Sequence, residues 1–570
     1  MPHHVLTVVI ITLFLHNSTA QVAKRFDILI TEIFPDPTPS VGLPISEYIE
    51  IKNVSTESYN LHDWKISDGS STSVISGNYI LLPDSIVVIC SNSAAQVYRS
   101  FGNVIGVSAF PSLDNDADLV YLRSSESRVI HAISYTKEWY QNDFKTDGGW
   151  SLEMVDLKNP CGGFSNWMAS TQIIGGTPGK ANSVRNKNPD NTGPLLLRTY
   201  TTDSNTIVAV FDESLDSVVA SNPALYTVDN FEKPMLANPI APLFRDITLK
   251  LPQGLLQNTV YHLSVSGITD CIGNENSVRK VKCGLTQVSV TGDIVINEIL
   301  FNPKPDGYDF IELYNKSKKI LDLQHLYIAN RNSTGSLINV HQICTSPYLL
   351  FPGDFVVFTE NAKWLTRNFS TINADNLLEL QPLPSLPDDN GRVVIANLNG
   401  TILDELHYDE KWHFALIDND EGVSLERIDY SGATQNKNNW TSAASTAGFG
   451  TPGYQNSQFK IDQKMQGIIS VDPTIFSPDN DGFNDLATIS YQMTGPGYVA
   501  NITLYDANGR AVRYLAKNAT LGLQGVFRWD GLDDQSQRLP MGIYVVFTEI
   551  FNLQGKTKKF KNVVTLARRF

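Results

Sequence analysis

The chain has 570 residues and a formal net charge of −15, with 18% charged and 42% hydrophobic residues. This length exceeds what a single hydrophobic core serves, so we expect several domains. The acidic balance argues against a nucleic-acid partner, because phosphate binding needs a basic face. The abundance of Gly, Pro, Tyr and Phe favours turn-rich β-structure over disorder or long coiled coils.

The N-terminus carries a short apolar run, residues 5–15 (VLTVVIITLFL). The run is too short to span a bilayer, and residues 18–20 (STA) before Gln21 resemble a signal-peptide cleavage site. We therefore expect residues 1–20 to be a cleaved signal peptide and the protein to be secreted or displayed on the cell surface. The alternative is a buried first strand. No later run approaches about 18 uninterrupted apolar residues, so we expect no transmembrane segment.

The chain contains two copies of one pattern. The offset between the copies changes only from 266 residues, between Glu32 and Glu298, to 274 residues, between Thr177 and Thr451. The matching segments are 29–34 with 295–300, 47–53 with 309–315, 79–83 with 348–352, 151–153 with 424–426 and 176–179 with 450–453. The matching aromatic positions are Tyr135, Trp139 and Trp167 with Tyr408, Trp412 and Trp440. Such repetition indicates that one structural unit occurs twice.

Each copy alternates apolar and polar residues over short runs, such as 47–51 and 355–358. Many short strands separated by turn residues predict an antiparallel sandwich, with the paired Trp and Tyr residues as core anchors. We therefore predict an all-β fold of tandem Ig-like antiparallel β-sandwich domains. Glutamates alternate with apolar neighbours in these strands and are expected to face solvent or a sheet edge. These glutamates are Glu32, Glu50, Glu298 and Glu312.

The repeated motifs resemble a known family. The order INEI, (D/E)(Y/F)IE(L/I)xN, a Pro-containing turn, SLE and GTPGxxNS is similar to the lamin tail domain, an Ig-like β-sandwich that bacteria use in secreted proteins. The pattern covers residues 26–183 and 292–457. The second copy has Leu326 where the first has Trp64, and this change is not expected to disturb the fold. The resemblance implies a binding or tethering role and no catalytic site.

A different domain is expected between the copies. Residues 184–194 are polar and rich in turn formers, which is typical of a linker. The runs 206–211, 247–251 and 259–265 alternate as strands. With these strands, residues 194–288 resemble the Ig-like spacer domains of bacterial surface proteins.

The last segment, residues 460–570, carries FSPDNDGFND, LYDANGR, WDG and LPMGIY in that order. This order resembles the Ig-like domain of flagellar hook-capping proteins. It is also similar to the C-terminal domains of gliding-associated proteins in bacteria that use type IX secretion. The resemblance implies an attachment or sorting module, although the hook-capping version need not be a secretion signal.

The first motif of this segment places Asp479, Asp481 and Asp485 around Gly482. Asp and Asn oxygens around a Gly converge on hard cations in calcium loops, so calcium is the cofactor that the sequence suggests. The run lacks the closing Glu of an EF-hand, which excludes that motif. The alternative is a surface turn in which these side chains cap their own backbone.

A second acidic run, residues 114–118 (DNDAD), also has oxygen ligands that suit calcium. Its counterpart in the second copy is residues 387–391 (PDDNG), which carries fewer carboxylates. The occurrence of turn-forming residues at this position in both copies therefore suggests a shared hairpin turn rather than a cation site.

Five cysteines occur in the chain: Cys90, Cys161, Cys271, Cys283 and Cys344. An odd number in an exported protein leaves at least one unpaired. Cys271 and Cys283 are close enough in sequence to bridge a hairpin, and an oxidising compartment would permit that bond. The alternative is a pair of buried thiols. The spacings do not resemble a zinc site.

Motifs of common enzymes are absent from the sequence, including GxSxG, HExxH, the Walker A loop and GxGxxG. Paired strand glutamates suit a glycosidase, but nothing in the sequence places them across a cleft. His407 and His413 flank Trp412, yet they align with Ser134 and Tyr140 of the first copy. We interpret both histidines as variable surface positions.

Two functions of different classes follow from these observations. The first is a non-enzymatic surface protein that binds a protein or a glycan of the cell envelope, or tethers the envelope, through tandem lamin-tail-like domains. The second is a secreted hydrolase whose active site lies in long loops of one repeat, such as residues 365–387. The first is favoured because every folded segment is already assigned to a sandwich motif.

Overall fold

The computed structural model describes residues 22–417, 419–459, 467–553 and 557–568. The expected signal peptide, residues 1–20, lies outside the described residues. Strands in mainly antiparallel sheets are the predominant secondary structure of the described residues, which confirms the all-β fold class. Among the described residues, no helix is long and apolar enough to cross a membrane.

Internal contacts divide the chain into two units. The first unit comprises the chain up to Arg198, Asn205–Gly254 and His262–Val281. The second unit comprises Thr199–Ser204, Leu255–Tyr261 and the chain from Lys282 onwards. The first repeat therefore lies in the first unit, and the second repeat lies in the second unit.

Twelve short strands form the described part of the first repeat. They are β1 (Ile28–Phe34), β2 (Tyr48–Asn53), β3 (Tyr59–Asn60), β4 (Lys65–Ser67), β5 (Thr72–Val74), β6 (Ile80–Leu81), β7 (Ile86–Ser91), β8 (Val104–Val107), β9 (Ala117–Arg123), β10 (Val129–Thr136), β11 (Leu152–Met154) and β12 (Trp167–Ala169). One α-helical turn, α1 (Ala95–Tyr98), follows β7, and 3-10 turns occur at Lys137–Tyr140, Asp143–Lys145 and Gly163–Asn166. The sheets have the orders β12-β11-β1-β2-β7-β8 and β10-β9-β4-β5, and β3 pairs with β6.

The core of the first repeat lies between its two larger sheets. Trp64, Tyr135, Trp139 and Trp167 are buried in this core, which confirms their expected role as apolar anchors. The opposite face of the six-stranded sheet is covered as well. There Phe34, Tyr48, Val88, Cys90 and Tyr98 form a second buried cluster. The central strands β1 and β2 are consequently buried on both faces, unlike the half-exposed strands of a simple sandwich.

The spacer contains β13 (Leu196–Asp203), β14 (Thr206–Phe211), β15 (Tyr226–Val228), β16 (Leu236–Pro239), β17 (Asp246–Lys250), β18 (Tyr261–Val265) and β19 (Arg279–Cys283). It also contains the helical turn α2 (Ser217–Ala220) and a 3-10 turn at Pro223–Leu225. Strand β17 pairs antiparallel with both β14 and β16, and β15 pairs antiparallel with β18.

The disulfide of the first unit differs from the one expected. Cys271 is bonded to Cys161, 110 residues earlier in the chain, so the predicted Cys271–Cys283 pair is wrong. Cys283 is the buried last residue of β19, whereas the loop with Cys271 lies beside the loop after β11. The proximity that decides the pairing is therefore tertiary and not sequential.

The segment expected to be a linker is partly anchored. The backbone N–H groups of Val184, Asn186 and Asn188 donate to Glu153, Val155 and Asp156 of the first repeat, respectively. The first half of the predicted linker, residues 184–188, is therefore held against the first repeat by hydrogen bonds.

The second repeat has the same plan. Its strands are β20 (Ile294–Leu300), β21 (Phe310–Asn315), β22 (Leu321–Asp322), β23 (Leu326–Arg331), β24 (Leu337–Gln342), β25 (Leu349–Leu350), β26 (Phe355–Thr359), β27 (Leu377–Glu379), β28 (Asn390–Asn397), β29 (Ile402–Asp409), β30 (Leu425–Arg427) and β31 (Trp440–Ser442). The helix α3 (Ala362–Asn368) follows β26, and 3-10 turns occur at Leu323–His325, Ala374–Asn376, Glu410–Trp412, Lys437–Asn439 and Ser445–Ala447. The sheet orders are β27-β26-β21-β20-β30-β31 and β24-β23-β28-β29, with β22 paired to β25.

The C-terminal segment forms a further sandwich. Its described strands are β32 (Ile468–Asp472), β33 (Ile475–Phe476), β34 (Ala487–Gln492), β35 (Tyr498–Tyr505), β36 (Ala511–Leu521), β37 (Gln524–Trp529), β38 (Gly542–Asn552) and β39 (Thr557–Leu566). They make the sheets β32-β34-β37 and β33-β39-β38-β35-β36. Phe476, Trp529 and Tyr544, which belong to three of the sequence motifs, meet in the core of this sandwich.

Candidate functional site

Each repeat buries a row of three glutamates on three adjacent strands. In the first repeat, Glu32 of β1 is paired in register with Glu50 of β2 and with Glu153 of β11. In the second repeat, Glu298 holds the same position between Glu312 and Glu426. All six side chains are 0% exposed. The prediction that the strand glutamates face solvent is wrong. We call each set of three a glutamate cluster.

The glutamate cluster is covered by the Gly-Thr-Pro-Gly segment that closes each repeat, which we call the GTPG loop (residues 176–179 and 450–453). In the first repeat, the backbone N–H of Thr177 donates to Glu32 Oε1 at 2.8 Å. The N–H of Gly179 donates to Glu50 Oε2 at 2.8 Å. Ser183 Oγ donates to Glu153 Oε2 at 2.8 Å. Every glutamate of the cluster thus binds the closing segment.

The second repeat reproduces these contacts. The N–H of Thr451 donates to Glu298 Oε1 at 2.8 Å, and the N–H of Gly453 donates to Glu312 Oε2 at 2.6 Å. The hydroxyl of Ser457 donates to Glu426 Oε2 at 2.9 Å. Because both repeats form the same bonds, the cluster and its loop are a property of the repeat itself.

The geometry of the threonine requires a proton on the cluster. Thr177 Oγ1 lies 3.2 Å from Glu32 Oε2 and 2.9 Å from Glu153 Oε1. Thr451 Oγ1 lies 3.1 Å from Glu298 Oε2 and 2.9 Å from the corresponding Glu426 oxygen. A hydroxyl donates one proton only, so the second contact is a hydrogen bond when a carboxyl donates to the hydroxyl oxygen. Each cluster is therefore arranged to hold at least one proton.

The electrostatics of the clusters agree with a bound proton. Burial first, and then the charge of neighbouring Glu153, raise the pKa of Glu32 to about 7, against the lowering effect of the hydrogen bonds. Burial and the charge of Glu426 raise the pKa of Glu298 to about 8. The pKa values of Glu50 and Glu312 are raised well above the usual range, by burial first and a neighbouring carboxylate second.

The sequence contained a signal for these clusters. Three glutamates recur at equivalent strand positions of both copies, and both copies end in the same Gly-Thr-Pro-Gly motif. A carboxylate kept in both copies within apolar strands indicates a buried partner more than a solvated face. The partner could not be named, because Thr177 follows Glu32 by 145 residues.

A β-bulge beside each cluster is stabilised differently in the two repeats. In the first repeat, the N–H of Ile30 donates to Nδ1 of buried His131 at 2.9 Å. Burial lowers the pKa of His131 to about 4, so the ring is neutral and its Nε2 donates to Pro160 O at 3.0 Å. In the second repeat, the N–H of Ile296 donates instead to the carboxylate of Asp404 at 2.8 Å.

The charge of Asp404 is balanced by a buried arginine. Arg427 Nη2 lies 3.2 Å from Asp404 Oδ2, and its Nε donates to Ile296 O at 2.7 Å. The side chain of Arg427 is 0% exposed. Burial raises the pKa of the Asp404 carboxyl, and the Arg427 charge opposes that shift. The first repeat has Met154 at the position of Arg427, so it needs no balancing charge.

The two histidines beside Trp412 occupy different environments. His407 is exposed, as expected. His413 is not a surface position, because its Nδ1 lies 2.8 Å from Ser442 Oγ and its ring packs on Phe301. Burial lowers the pKa of His413 to about 4. Its counterpart Tyr140 is buried as well, so this position faces the core in both repeats.

The acidic run 114–118 is not a hairpin turn. It enters β9, and the turn between β9 and β10 lies later, at residues 124–128. The feature shared by the copies is a tyrosine bond: Tyr135 Oη donates to Asp114 O at 2.6 Å, and Tyr408 Oη donates to Pro387 O at 2.9 Å. The run is therefore a strand entry held by a core tyrosine.

The three aspartates expected to bind calcium lie together. One carboxylate oxygen from each of Asp479, Asp481 and Asp485 lies within 4.8 Å of the others. The same side chains also cap the turn, since Asp485 accepts from the N–H groups of Asn480 and Gly482 at 2.7 and 2.9 Å. Both arrangements that the sequence allowed, a cation loop and a self-capped turn, are thus compatible with this geometry.

One further group of ligand-type side chains lies within the described residues. It combines Cys161, Glu213 and Asp270 within 4.8 Å. The sulfur of Cys161 belongs to the disulfide with Cys271 and is not available as a thiolate ligand. This group therefore does not fit a soft metal.

Comparison with protein families identifies the repeats. Residues 21–137 and 287–410 match the Lamin Tail Domain family. The family model thus matches the chain twice, once in each repeat. The matched regions end before β11 and β30, so they include Glu32, Glu50, Glu298 and Glu312 but not the GTPG loops. Among curated proteins, no relative of the chain was found.

Solved structures with partial similarity are β-rich proteins. The bacterial S-layer protein SbsC is 13% identical, with 66% of this chain and 54% of that chain covered and a TM-score of 0.16. PorZ, a surface component of the type IX secretion system of Porphyromonas gingivalis, is 11% identical, with 92% and 69% covered and a TM-score of 0.15. A tetra-tandem repeat of a large adhesion protein is 10% identical, with 95% and 99% covered and a TM-score of 0.13. The chain spans about half the length of SbsC.

Proposed function

We propose that the protein is a non-enzymatic structural protein, exported to the cell surface or beyond, whose tandem lamin tail domains tether or attach it to a protein or glycan of the cell envelope. The observation that carries this proposal is the use of the buried glutamates. In both repeats they bind the GTPG loop of the same repeat, so their oxygens serve the fold.

A glycosidase uses its carboxylates differently. Its two carboxyl groups flank an open cleft, about 5 to 10 Å apart, where a sugar and a water enter. Here Glu50 and Glu312 are fully buried, and each accepts one bond from its own strand region and one from its GTPG loop. The clusters therefore support a structural role over the glycosidase alternative.

The long loop considered for a hydrolase site is also used for packing. Its helix α3 and strand β27 place Leu365, Phe369 and Leu377 in a buried cluster with Leu300 and Phe310 of the sheet. A loop that is fixed to the sheet by apolar side chains supports a structural role for this segment as well.

Exposure of intact host cells to an external protease tests the location. We expect the protein to be cleaved on intact cells and its mature N-terminus to be Gln21, as the apolar leader predicts. Protein that is protected in intact cells and retains Met1 would contradict export. A cytoplasmic protein in the same samples serves as the control for lysis.

Turnover assays of the full chain on peptides, nucleotides and common glycosides test the enzyme alternative. We expect no activity. Any turnover that is lost in Glu50→Gln or Glu312→Gln, and retained in a variant of an exposed glutamate such as Glu410→Gln, would overturn the structural proposal.

For the C-terminal segment, we propose an attachment or sorting role of the type IX kind. The four ordered motifs support it, and Phe476, Trp529 and Tyr544 of three of these motifs pack in the core of one sandwich. Deletion of residues 460–570 should leave the chain exported across the inner membrane but absent from the cell surface. Unchanged surface display after the deletion would contradict this role.

For the loop at Asp479, Asp481 and Asp485, we propose calcium binding. The three carboxylates converge, and oxygen ligands suit this hard cation. A ligand that binds only the folded state stabilises it by roughly 2.7 kcal/mol at a hundred times its dissociation constant. The melting transition of this sandwich should therefore rise with calcium and fall with a chelator.

The variant Asp481→Ala should abolish that response to calcium. The matched control is Asp533→Ala, because Asp533 caps an exposed turn of the same sandwich through bonds to Gln535 and Gln537. This control should lose stability equally with calcium and with chelator. Equal melting temperatures of the unmodified chain in both conditions would favour the self-capped turn.

A further inference from the structure

A cleft of about 540 Å³ opens in the first unit next to the disulfide sulfur of Cys161. One wall comes from β10 and the loop around residues 160–165, and the other from residues 212–214 with Arg245. The disulfide with Cys271 fixes the backbone beside it. Cavities of a few hundred Å³ suit a small ligand or an inserted side chain. Neither the lamin tail motifs nor the GTPG loops account for this cleft.

The lining of the cleft is acidic. Asp190, Asp212 and Glu213 line it together with one cation, Arg245. Asp190 accepts from the backbone N–H of Thr192 at 3.0 Å, and Asp212 accepts from the N–H of residue 195 at 2.7 Å. Glu213 forms no hydrogen bond or ion pair with any residue in the described part of the chain. Its carboxylate is therefore the acceptor that this cleft offers to a ligand.

Aromatic side chains complete the lining. Trp139 and Trp167 pack together with their ring centroids 5.9 Å apart at the inner wall. Phe164 lies at the same cleft and is 53% exposed. A planar guanidinium combines the two interactions available here, because it stacks on aromatic rings and donates in pairs to carboxylates. An ammonium is a point charge and gains less from the ring.

We propose that this cleft binds an arginine side chain of a partner protein, with the guanidinium bound to the Glu213 carboxylate beside Phe164. The remaining carboxylates attract the cation, and the disulfide keeps the two walls in place. This recognition site goes beyond the structural role proposed above and does not depend on it.

The ionisation of Glu213 gives the proposal a distinct signature. Burial first, and then the charges of Asp190, Asp212 and Asp270, raise the pKa of Glu213 to about 8, against the opposing charge of Arg245. A bound guanidinium favours the ionised carboxyl, so binding releases a proton. Affinity should therefore increase as the pH rises through about 8, by up to about tenfold between pH 7 and pH 9, as the ionised fraction grows.

Calorimetric titration of the full chain with N-acetyl-arginine amide, at pH 7 and pH 9, tests the proposal. We expect saturable binding that strengthens with pH. Glu213→Gln should weaken it at least tenfold at pH 9 and remove the pH dependence, and Asp190→Asn should weaken it less. Glu232→Gln, an exposed acid of the same spacer, should leave binding unchanged. Equal far-ultraviolet dichroism of the variants confirms that they are folded.

Four outcomes would overturn the proposal. These are the absence of saturable binding, equal binding by Glu213→Gln and the unmodified chain, equal affinity for N-acetyl-lysine amide, and Glu213-dependent binding of calcium alone that excludes the arginine probe. The last outcome would identify a metal site instead. Because the probe is a small molecule added to purified protein, each result is independent of where the protein resides in the cell.

Discussion

The two repeats keep the same hydrogen bonds between the GTPG loop and the glutamate cluster but surround them with different charges. The first repeat caps its bulge with neutral His131 beside Met154, whereas the second uses Asp404 with buried Arg427. The difference shows that both repeats provide a polar acceptor for the N–H group of the bulge. The charge is free to vary, provided that it is balanced.

A second difference concerns the proton. In the first repeat, Tyr48 Oη donates to Glu32 Oε1 at 2.6 Å. The second repeat has Phe310 at this position, so Glu298 lacks that donor. A donor stabilises the ionised carboxyl, so the Tyr48 hydroxyl lowers the pKa of Glu32 against the raising effect of burial. Glu32 and Glu298 are thus matched positions, of which Glu32 alone accepts a tyrosine hydrogen bond.

The largest expected effect comes from breaking the ion pair of the second repeat. Arg427→Met should cost about 3 to 5 kcal/mol of that repeat's stability, because Asp404 is left as an unpaired buried charge. The pair Arg427→Met with Asp404→His copies the first repeat and should recover most of the loss. Hydrogen exchange of β20 measures both. A single variant as stable as the unmodified repeat would refute the charge-balance explanation.

The disulfide distinguishes the first unit. Thr434 is at the position of Cys161 in the second repeat, so only the first unit can respond to its loss. Cys161→Ser with Cys271→Ser should lower the first unit's stability by about 2 to 4 kcal/mol and leave the second unchanged. Thermal unfolding with and without a reductant measures this effect. Reductant should act on the unmodified chain alone, and a shift in the double variant would point to other causes.

The pH response tests the proton in both clusters. A carboxyl whose pKa is raised on folding contributes stability below its unfolded pKa, and that contribution is lost as the pH rises through the folded pKa. Both repeats should therefore lose stability between about pH 5 and pH 8, by about 1.4 kcal/mol for each unit of pKa shift. Hydrogen exchange of the GTPG loops, corrected for its intrinsic pH dependence, measures the loss.

The variant Glu298→Gln should remove the contribution of Glu298 to the pH dependence of the second repeat, while that of buried Glu312 remains. The pH dependence of the first repeat should be unchanged. Exposed Glu410→Gln is the matched control within the second repeat and should change neither. Stability of the unmodified second repeat that is constant or rises over this pH range would contradict the presence of a bound proton.

The smallest expected effect tests the hydrogen bond that the Tyr48 hydroxyl donates to Glu32. Tyr48→Phe should raise the pKa of Glu32, because the ionised carboxyl loses one hydrogen-bond donor. Phe310→Tyr should lower the pKa of Glu298 in the same way. Infrared titration of the protonated carboxyl band measures both shifts. If neither variant moves the midpoint of the band, the tyrosine hydrogen bond does not affect the pKa of these glutamates.

The core and the repeats were predictable because their signals are local or recur at a fixed offset. Period-two alternation with turn residues identified the strands, and the paired Trp and Tyr residues identified the anchors. The environment of Glu32 was not predictable from alternation. An alternating pattern predicts that one face of the sheet is exposed to solvent. Here the face with Glu32 is covered by the loop of Thr177, which lies 145 residues away in sequence. The position of His413 was misjudged for a related reason, since comparison with Tyr140 gives residue identity and not burial.

The sequence by itself determined the β-rich class, the duplication and the likeness to lamin tail domains, because these follow from short-range patterning and from repeated motifs. Only the tertiary structure decided that the glutamates are buried, that Cys161 bonds to Cys271, and that Glu213 lies at an acidic cleft. The physical reason is common to all three. Burial, disulfide pairing and the walls of a cleft depend on which segments, distant in sequence, come into contact in the fold. Local sequence patterns do not contain that information.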